Sequence, residues 1–326
     1  MFPTERPRRL RRTAALRRLV AETTLAPEDF VAPLFVAEGL DQPWAIASLP
    51  GHFQHTLASL HAEVRALHGA GVGGVILFGV PEVKDEVGSG AWDSEGVVQV
   101  ALRSLRDEFG DELVLMADLC LDEYTTHGHC GAVRDDGTVD NDVTLELYAR
   151  VALAQAGAGA DVVAPSGMMD GQVGAIRAAL DESGFDETII LAYAAKYASA
   201  LYGPFREAVG VEIMGGGDRR GYQQDARNRR EALREARADV AEGADIIMVK
   251  PAMTYLDIVS DLRRELEVPL CAYHVSGEYS MVKAAAQLDW IDGVAVAIEQ
   301  LTAVRRAGAD FVLTYFAGEL AEELGR

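Results

Sequence analysis

The stretch 244-ADIIMVKPAM-253 is a run of aliphatic side chains that ends on a lysine and a proline. A second stretch, 188-TIILAYAAKYAS-199, has the same arrangement and ends its aliphatic run on Lys196. Continuous apolar runs of this length are typical of parallel strands that helices cover on both faces. An ammonium group at the end of such a strand must find a partner or lose its proton, so Lys196 and Lys250 are candidate functional residues.

Runs of the same kind recur along the chain, and helix-like stretches such as 58–71, 143–160 and 229–244 lie between them. The runs are 30-FVAPLFV-36, 73-GGVILFGV-80, 113-LVLMADLCL-121, 161-DVVAPSG-167, 188-TIILAYAA-195, 245-DIIMVK-250, 269-PLCAYHVS-276 and 311-FVLTYFA-317. Three strands follow a Gly-Ala-Asp sequence, in which the glycine is typical of a helix C-cap. Eight such units predict an α/β fold, a (β/α)8 TIM barrel. An open doubly wound sheet is the alternative, although no dinucleotide-type glycine-rich turn follows the first strand.

Composition limits the class of protein. About half of the 326 residues are apolar, enough for a large core, and the three cysteines are too few for a disulfide framework. No apolar run approaches the roughly 20 residues that cross a bilayer, and the N-terminus lacks the features of a secretion signal. We therefore expect a soluble, cytoplasmic protein with no membrane partner. The net charge of −21 makes nucleic acid an unfavourable partner.

The N-terminal segment departs from this acidic character. Residues 1–20 contain seven arginines and one glutamate. One interpretation is a solvated, partly disordered tail. The other is an arm, residues 1–28, that associates with the acidic surface of a neighbouring subunit, with residues 29–326 forming the barrel.

The barrel also predicts where the chemistry lies, because the carboxyl ends of its strands meet at one face. The polar residues predicted at these ends are Asp118, Cys120, Asp122, Ser166, Lys196, Lys250, Ser276 and Tyr315. Lys196 and Lys250 end neighbouring strands, so their amines should lie close together, and each should disfavour the charge of the other. Lowering the pKa of a lysine from about 10.4 to near 7 takes roughly 4 to 5 kcal/mol, which burial and a nearby cation supply. A neutral amine forms a Schiff base with a ketone; the alternative is that each lysine pairs with a carboxylate.

The segment that follows Lys196 indicates an anionic substrate. Residues 202–225 show little periodicity and contain a GGG run, which predicts a lid over the site. This lid carries Arg206, Arg219 and Arg220, whose guanidinium groups suit carboxylates, unless they are only solvated loop residues.

A candidate metal loop follows the third barrel strand, in 118-DLCLDEYTTHGHCG-131. Cys120 and Asp122 are two residues apart and would face the same side of a strand, and Cys130 can fold back towards them. Two thiolates and a carboxylate suit zinc with an open fourth position. His127 and His129 are rival ligands, and core packing of the cysteines is the alternative.

At this point the sequence resembles the porphobilinogen synthase (5-aminolevulinate dehydratase) family, nearly from end to end. The motifs that carry the resemblance are 163-VAPSGMMDGQV-173, 192-AYAAKYASALYGPFREA-208, 217-GDRRGYQ-223, 248-MVKPAMTYLDIV-259, 273-YHVSGEYSM-281 and 313-LTYFA-317. The resemblance implies a homo-octamer of (β/α)8 subunits, each with an N-terminal arm around a neighbour. It also implies a lyase that condenses two 5-aminolevulinate molecules to porphobilinogen with loss of two waters.

The resemblance further implies two substrate sites. Lys250 would form a Schiff base with the substrate that becomes the propionate side (the P site), and Lys196 with the other substrate (the A site). The remaining implied roles are Ser276 and Tyr315 on the P-site carboxylate, Arg206, Arg219 and Gln223 on the A-site carboxylate, Asp118 and Ser166 near the reacting groups, and Phe205 and Tyr273 as pocket walls.

The metal loop departs from the family patterns. Zinc-type members resemble Cys-x-Cys-x7-Cys and magnesium-type members carry alanine and aspartates, whereas this chain has Cys120, Asp122 and Cys130. Two soft ligands favour zinc, held more weakly because a carboxylate replaces a thiolate. Glu235 matches the glutamate that binds a stimulatory magnesium near a subunit interface in many relatives; its alternative is an exposed helical carboxylate.

Two other functions remain open on sequence grounds. A class I aldolase-like enzyme would use one Schiff-base lysine rather than two. A metal- or tetrapyrrole-binding regulator would lack catalysis, although both lysines, both carboxylate clamps and the lid are present.

Overall fold

The computed structural model describes residues 4–213 and 218–325. The strands are β1 (Phe30–Ala37), β2 (Trp44–Ala45), β3 (Phe53–His55), β4 (Gly74–Val80), β5 (Val114–Leu119), β6 (Val162–Pro165), β7 (Ile189–Lys196), β8 (Ile246–Lys250), β9 (Leu270–His274) and β10 (Phe311–Thr314). The helices are α1 (Ala14–Leu19), α2 (Leu57–Gly69), α3 (Val97–Phe109), α4 (Asn141–Gly157), α5 (Gln172–Glu182), α6 (Gly203–Ala208), α7 (Arg230–Glu242), α8 (Leu256–Glu265), α9 (Ser276–Gln287), α10 (Gly293–Ala307) and α11 (Ala317–Leu324).

Eight parallel strands, β1 and β4 to β10, form a closed barrel with helices between them. β1 pairs along its length with β4, and its first residues also pair with β10, where Phe30 lies opposite Val312. Because the last strand pairs with the first, the barrel is closed; β3 and β2 extend the sheet from β1 outside the barrel. The predicted (β/α)8 barrel is confirmed, and the open doubly wound sheet is excluded.

The three Gly-Ala-Asp sequences lie at the amino-terminal end of the barrel, at 159–161, 243–245 and 308–310. Their glycines have φ of +96°, +108° and +127°, a conformation that glycine adopts at no steric cost. Each aspartate accepts a hydrogen bond from a strand amide: Asp161 from Leu115, Asp245 from Ile190 and Asp310 from Leu270, all at 2.8 Å. The repeat therefore ends a helix and joins the next strand to its neighbour.

Some predicted strands are too long at their carboxyl ends. β5 ends at Leu119, so Cys120 and Asp122 lie in the following loop and the premise of a shared strand face was wrong. Ser276 begins α9 rather than ending a strand, and Tyr315 follows β10 by one residue. In each case the strand ends at the carboxyl-terminal face of the barrel, and the chain turns directly after it.

Two segments lie outside the barrel. Residues 4–22 are almost entirely exposed and contain a turn of 3-10 helix and α1; residues 1–3 of the predicted arm lie outside the described residues. Of the predicted lid, residues 214–217 likewise fall outside them. Within the described ranges, we find no helix with the length and apolar character that a membrane span requires.

Candidate active site

Lys196 and Lys250 lie side by side at the carboxyl end of the barrel. They are paired opposite each other in the register of β7 and β8, and each is 5% exposed. Both line one cavity of about 20 Å³. A volume of this size holds about one water molecule. The structure therefore brings the two predicted lysines together in a closed space at the face where the barrel predicts chemistry.

A β-bulge in β7 completes the surroundings of the two amines. The register between β7 and β8 shifts between Ala192 and Ala195, so that β7 gains one residue over its neighbour. Tyr193 and Lys196, three residues apart, consequently meet on the same side. The ring centroid of Tyr193 lies 5.5 Å from the Nζ of Lys196 and 5.1 Å from the Nζ of Lys250.

Aromatic rings enclose the amine of Lys250. The ring centroids of Tyr273, Phe205 and Tyr202 lie 4.2, 5.2 and 5.4 Å from its Nζ. Burial and, after it, the neighbouring ammonium group of Lys196 lower the pKa of Lys250 from 10.5 to about 7. This lowering favours the uncharged amine at neutral pH, as nucleophilic attack requires.

Asp118 and Ser166 connect β5 and the segment after β6 to Lys196. The Nζ of Lys196 donates to the carbonyl oxygen of Ser166 at 2.5 Å, and the Ser166 hydroxyl donates to Oδ2 of Asp118 at 3.0 Å. The other oxygen of Asp118 is buried and has no hydrogen-bond partner among the described residues. Burial raises the pKa of Asp118 to about 6, although both lysines act to lower it. A carboxylate with a free oxygen thus lies beside two amines.

The residues predicted for the P-site carboxylate, Ser276 and Tyr315, do not line the cavity of the two lysines, and each is linked to Lys250 through one neighbouring residue. The hydroxyls of Tyr273 and Tyr315 are 3.2 Å apart, and Tyr273 also contacts Lys250 with its ring. The Ser276 hydroxyl accepts from the backbone N–H of Phe205 at 3.1 Å and donates to the Leu201 carbonyl at 3.3 Å. Ser276 thus touches the base of the predicted lid.

The predicted A-site residues are brought together only in part. Arg206 and Arg219 line the cavity of the two lysines, whereas Gln223 lines a neighbouring cavity. The Nη2 of Arg219 donates to Oδ2 of Asp122 at 2.6 Å and to the Gly128 carbonyl at 2.8 Å. The Nε of Arg219 and the Nε2 of Gln223 are buried donors without partners among the described residues. Buried donors of this kind leave hydrogen bonds available to an anion.

The candidate metal loop brings its three ligands together. The ligand atoms of Cys120, Asp122 and Cys130 all lie within 4.8 Å of one another, and all three residues are buried. Burial raises the pKa of the Cys120 thiol well above its usual range, whereas a hydrogen bond with Cys120 lowers the pKa of Cys130. Burial opposes ionisation of Asp122, but Arg219 together with Lys196 lowers the pKa of its carboxyl below the usual range. The donor set and its spacing fit a thiophilic divalent metal ion.

The two rival histidine ligands are instead occupied by hydrogen bonds. A ring nitrogen of His127 bonds the Glu86 carbonyl at 3.1 Å, and Nδ1 of His129 lies 3.2 Å from the Tyr222 hydroxyl. Neither histidine belongs to the groups of potential metal ligands found in the described part of the chain.

Glu235 lies in α7 and lines the neighbouring cavity, which has a volume of about 500 Å³. Its side chain is 24% exposed and pairs with Arg234 at 3.2 Å. Asp170 and the lid residues Tyr222 and Gln223 line the same cavity. The carboxylate therefore faces a space that is lined in part by described lid residues.

Several buried residues at this site were not predicted from the sequence, Phe78, Tyr202, Glu123, Tyr193 and Tyr148 among them. Glu123 lines the lysine cavity and is 3% exposed, and it forms a second potential ligand group with Asp118 and Cys120. Tyr193 lies against both amines, and the hydroxyl of Tyr148 approaches the Cys120 sulfur at 3.9 Å. Glu123 was signalled by its position next to Asp122, whereas the tyrosines look like ordinary core residues.

Comparison with known proteins gives the same family along the whole chain. The family model described as "Delta-aminolevulinic acid dehydratase" matches residues 4–323. A protein of that name from Streptomyces coelicolor is 56% identical over 99% of this chain and 98% of its own length. One from Mycobacterium tuberculosis H37Rv is 57% identical over 98% of this chain and 97% of its own length.

A solved structure with the same family name also has the same fold as this chain. The delta-aminolevulinic acid dehydratase (porphobilinogen synthase) from Toxoplasma gondii ME49, in complex with the reaction product porphobilinogen, superposes with a TM-score of 0.96. It is 42% identical in sequence, and the match covers 98% of this chain and 92% of that one. The chain therefore belongs to the delta-aminolevulinic acid dehydratase family.

Proposed function

We propose that this protein is a lyase that condenses two 5-aminolevulinate molecules to porphobilinogen, with loss of two waters. The observation that carries the proposal is the pair of lysine amines, Lys196 and Lys250, in one enclosed cavity. Two amines in one cavity provide for two ketone substrates held at once, which a single-lysine aldolase does not need. The relatives named above carry the same activity in their names.

The first steps are two imine formations. The uncharged Nζ of Lys250 attacks the ketone of the P-site substrate, and Lys196 attacks that of the A-site substrate. The two ketone oxygens leave as the two waters of the overall reaction. Both substrates are then held covalently. The entropic cost of bringing them together therefore no longer opposes formation of the carbon–carbon bond.

Ring formation follows from the acidity of the A-site imine. Loss of a proton from the carbon next to this imine gives an enamine, which attacks the imine carbon of the P-site substrate. The P-site amine attacks the A-site imine carbon, and both lysines leave as amines. Asp118, whose Oδ1 is free beside the amines, is our candidate for moving these protons.

The carboxylates of the substrates are held by hydroxyl and guanidinium groups in this proposal. Ser276 and Tyr315 bind the P-site carboxylate, next to the walls Phe205 and Tyr273. Arg206, Arg219 and Gln223 bind the A-site carboxylate; support comes from the unpartnered Nε of Arg219 and Nε2 of Gln223. A cavity of about 20 Å³ is too small for either substrate, so the lid must open for entry.

Zinc is the metal we propose at Cys120, Asp122 and Cys130, because thiolates select it over magnesium. When bound there, the ion supplies Lewis-acid polarisation of an oxygen. Chelation followed by separate zinc and magnesium additions tests the assignment. Activity restored by zinc alone supports it, and full activity after complete removal of zinc contradicts it.

Magnesium is proposed at Glu235 as a stimulatory ion. The supporting observation is the polar cavity of about 500 Å³ that this carboxylate shares with the lid residues. Magnesium keeps several waters and needs few protein carboxylates, so a roomy site suits it. The substitution Glu235→Gln should abolish stimulation by magnesium, and unchanged stimulation contradicts the site.

The N-terminal segment is proposed as an arm that holds the protein in a homo-octamer. Residues 4–22 make few contacts with their own barrel and carry the basic charge, whereas the whole chain is acidic. A chain lacking residues 1–22 should elute and scatter light as a smaller assembly than the full chain. The same mass for both forms would contradict this role.

The decisive test of the activity is trapping of the imines. Borohydride reduction in the presence of 5-aminolevulinate should attach one substrate to Lys250 and one to Lys196, as mass spectrometry of the peptides will measure. Colour with Ehrlich's reagent after turnover reports porphobilinogen. Modification of one lysine alone would favour an aldolase-like enzyme, and no modification with no colour would favour a regulator without catalysis.

A further inference from the structure

Asp122 is the residue at which this chain departs from the three-cysteine pattern, and it is also where the lid contacts the metal loop. We infer that Asp122 couples the two: it ligates a divalent metal ion together with Cys120 and Cys130 while it holds lid residues 218–225 against the metal loop through Arg219. Metal binding and the docking of residues 218–225 then favour each other. This inference rests on the metal site proposed above.

The ion pair between Asp122 and Arg219 is buried. The side chains are 4% and 7% exposed, and the Nη2 of Arg219 lies 2.6 Å from Oδ2 of Asp122. The same nitrogen donates to the carbonyl of Gly128, which belongs to the metal loop. Breaking a buried ion pair is strongly unfavourable, because it leaves a charge without a partner. The position of Asp122 in the metal loop therefore fixes the position of the Arg219 guanidinium group.

Other lid contacts reach the same loop. The Tyr222 hydroxyl lies 3.2 Å from Nδ1 of His129 and accepts the backbone N–H of Cys130 at 3.4 Å. Gly128, with φ of +70°, approaches the lid so closely that a Cβ there would lie 2.3 Å from the Glu212 carbonyl oxygen. The metal loop therefore packs against Glu212 in the first part of the lid and against Arg219 and Tyr222 in the last part.

Charge balance favours one carboxylate serving both partners. A divalent ion bound by two thiolates and Asp122 leaves one net negative charge, which the guanidinium of Arg219 neutralises. A buried site is most stable when its charges are matched.

The direction of the coupling follows from the geometry of a carboxylate. Its two oxygens offer several lone pairs, and Arg219 uses those of Oδ2. A ligating carboxylate that is also hydrogen-bonded binds its metal better, because its orientation is fixed. The metal in turn fixes the group that Arg219 binds, and such coupling is reciprocal.

Cobalt binding tests the inference without reference to activity. Metal-free protein is titrated with Co²⁺, and the thiolate-to-cobalt absorption band gives the affinity. The substitution Arg219→Gln should weaken binding by about 10- to 100-fold, the usual effect of removing a group that orients a ligand. The matched control is Arg220→Gln, since Arg220 is exposed and pairs only with Asp218 among the described residues; its affinity should stay within about twofold.

A second measurement uses the unmodified chain and so does not depend on how a variant folds. Amide hydrogen exchange in residues 218–225 should slow when cobalt or zinc is added to the metal-free protein. In Asp122→Asn, which keeps the shape but removes the charge, the metal should no longer slow it.

The outcomes separate the two proposals. Absence of a thiolate–cobalt band in the unmodified protein would overturn the metal site and this inference together. A normal band with equal affinity for Arg219→Gln and the control, or lid exchange that metal leaves unchanged, would overturn the coupling alone and leave the metal site standing.

Discussion

The two ends of the barrel treat charged residues in opposite ways. At the amino-terminal end, Asp161 and Asp310 accept strand amides and pair with arginines while remaining 35% and 49% exposed. At the carboxyl end, Lys196 and Lys250 are 5% exposed and lie next to each other. Charge that is solvated and hydrogen-bonded stabilises a fold, whereas charge that is desolvated beside a like charge costs stability and gains reactivity. The same barrel thus assigns stability to one face and chemistry to the other.

The largest effect is expected from Lys250→Met at the reactive end. Activity should fall on the order of 10⁴-fold or more, because the P-site imine cannot form. The melting temperature should nevertheless rise, since no buried ammonium group is left to desolvate. Product formation and thermal unfolding measure the two effects.

Lys283→Met is the matched control for this substitution. Lys283 does not line the cavity of the two lysines; its ammonium group pairs with Glu319 and lies over the rings of Tyr279 and Phe316. Its removal should leave turnover within about twofold of the starting protein. A lower melting temperature for Lys250→Met would contradict the view that burial of this lysine destabilises the fold.

The next effect concerns the pH dependence of imine formation at Lys250. With a pKa of about 7, the amine is mostly protonated below pH 7, and the trapping rate should fall about tenfold per pH unit there. Above about pH 8 the rate should level off. Rapid borohydride quenching at a series of pH values, followed by peptide mass spectrometry, measures the profile.

The same profile in Lys196→Met measures how much the neighbouring lysine contributes to the lowered pKa of Lys250. Burial remains the main cause of the lowered pKa of Lys250, but the neighbouring cation is gone, so the midpoint should move to higher pH. A midpoint near 10 in the unmodified protein would show that the interior does not depress this pKa.

The smallest effect is expected at the opposite end, from Asp245→Ala. This substitution leaves the N–H of the buried residue Ile190 without its acceptor at 2.8 Å, which should cost about 1 to 3 kcal/mol of unfolding free energy. Activity per folded molecule should stay within about twofold. Denaturant unfolding measures the loss, with the exposed Asp111→Ala as control. Equal unfolding free energies of the two variants would contradict a stabilising role for the aspartate of the Gly-Ala-Asp sequence.

Most of the fold could be predicted from local sequence. Apolar runs and helical stretches repeat with a regular spacing, and this pattern identified all eight barrel strands. The Gly-Ala-Asp sequences marked helix ends correctly, because a positive φ is a local property of the backbone. Strand ends were less certain: β5 ends before Cys120, at a point set by where the barrel rim lies rather than by the side chains themselves.

Adjacent strand ends predicted that Lys196 and Lys250 meet, whereas most of the contacts around them were missed. The place of Tyr193 was not predictable, since an odd spacing from Lys196 points to opposite faces unless a bulge intervenes. The ion pair of Asp122 with Arg219 joins residues 97 apart in the chain, and no local pattern encodes it.

The sequence by itself determined the barrel, its order of strands and the two lysines at one face, because periodicity and strand connection are local properties that the chain repeats eight times. Only the tertiary structure decided how dry the lysine cavity is, which tyrosines enclose it, and that the lid binds the metal loop. Those features depend on contacts between distant segments, and desolvation is a property of the space that they enclose rather than of any residue in it.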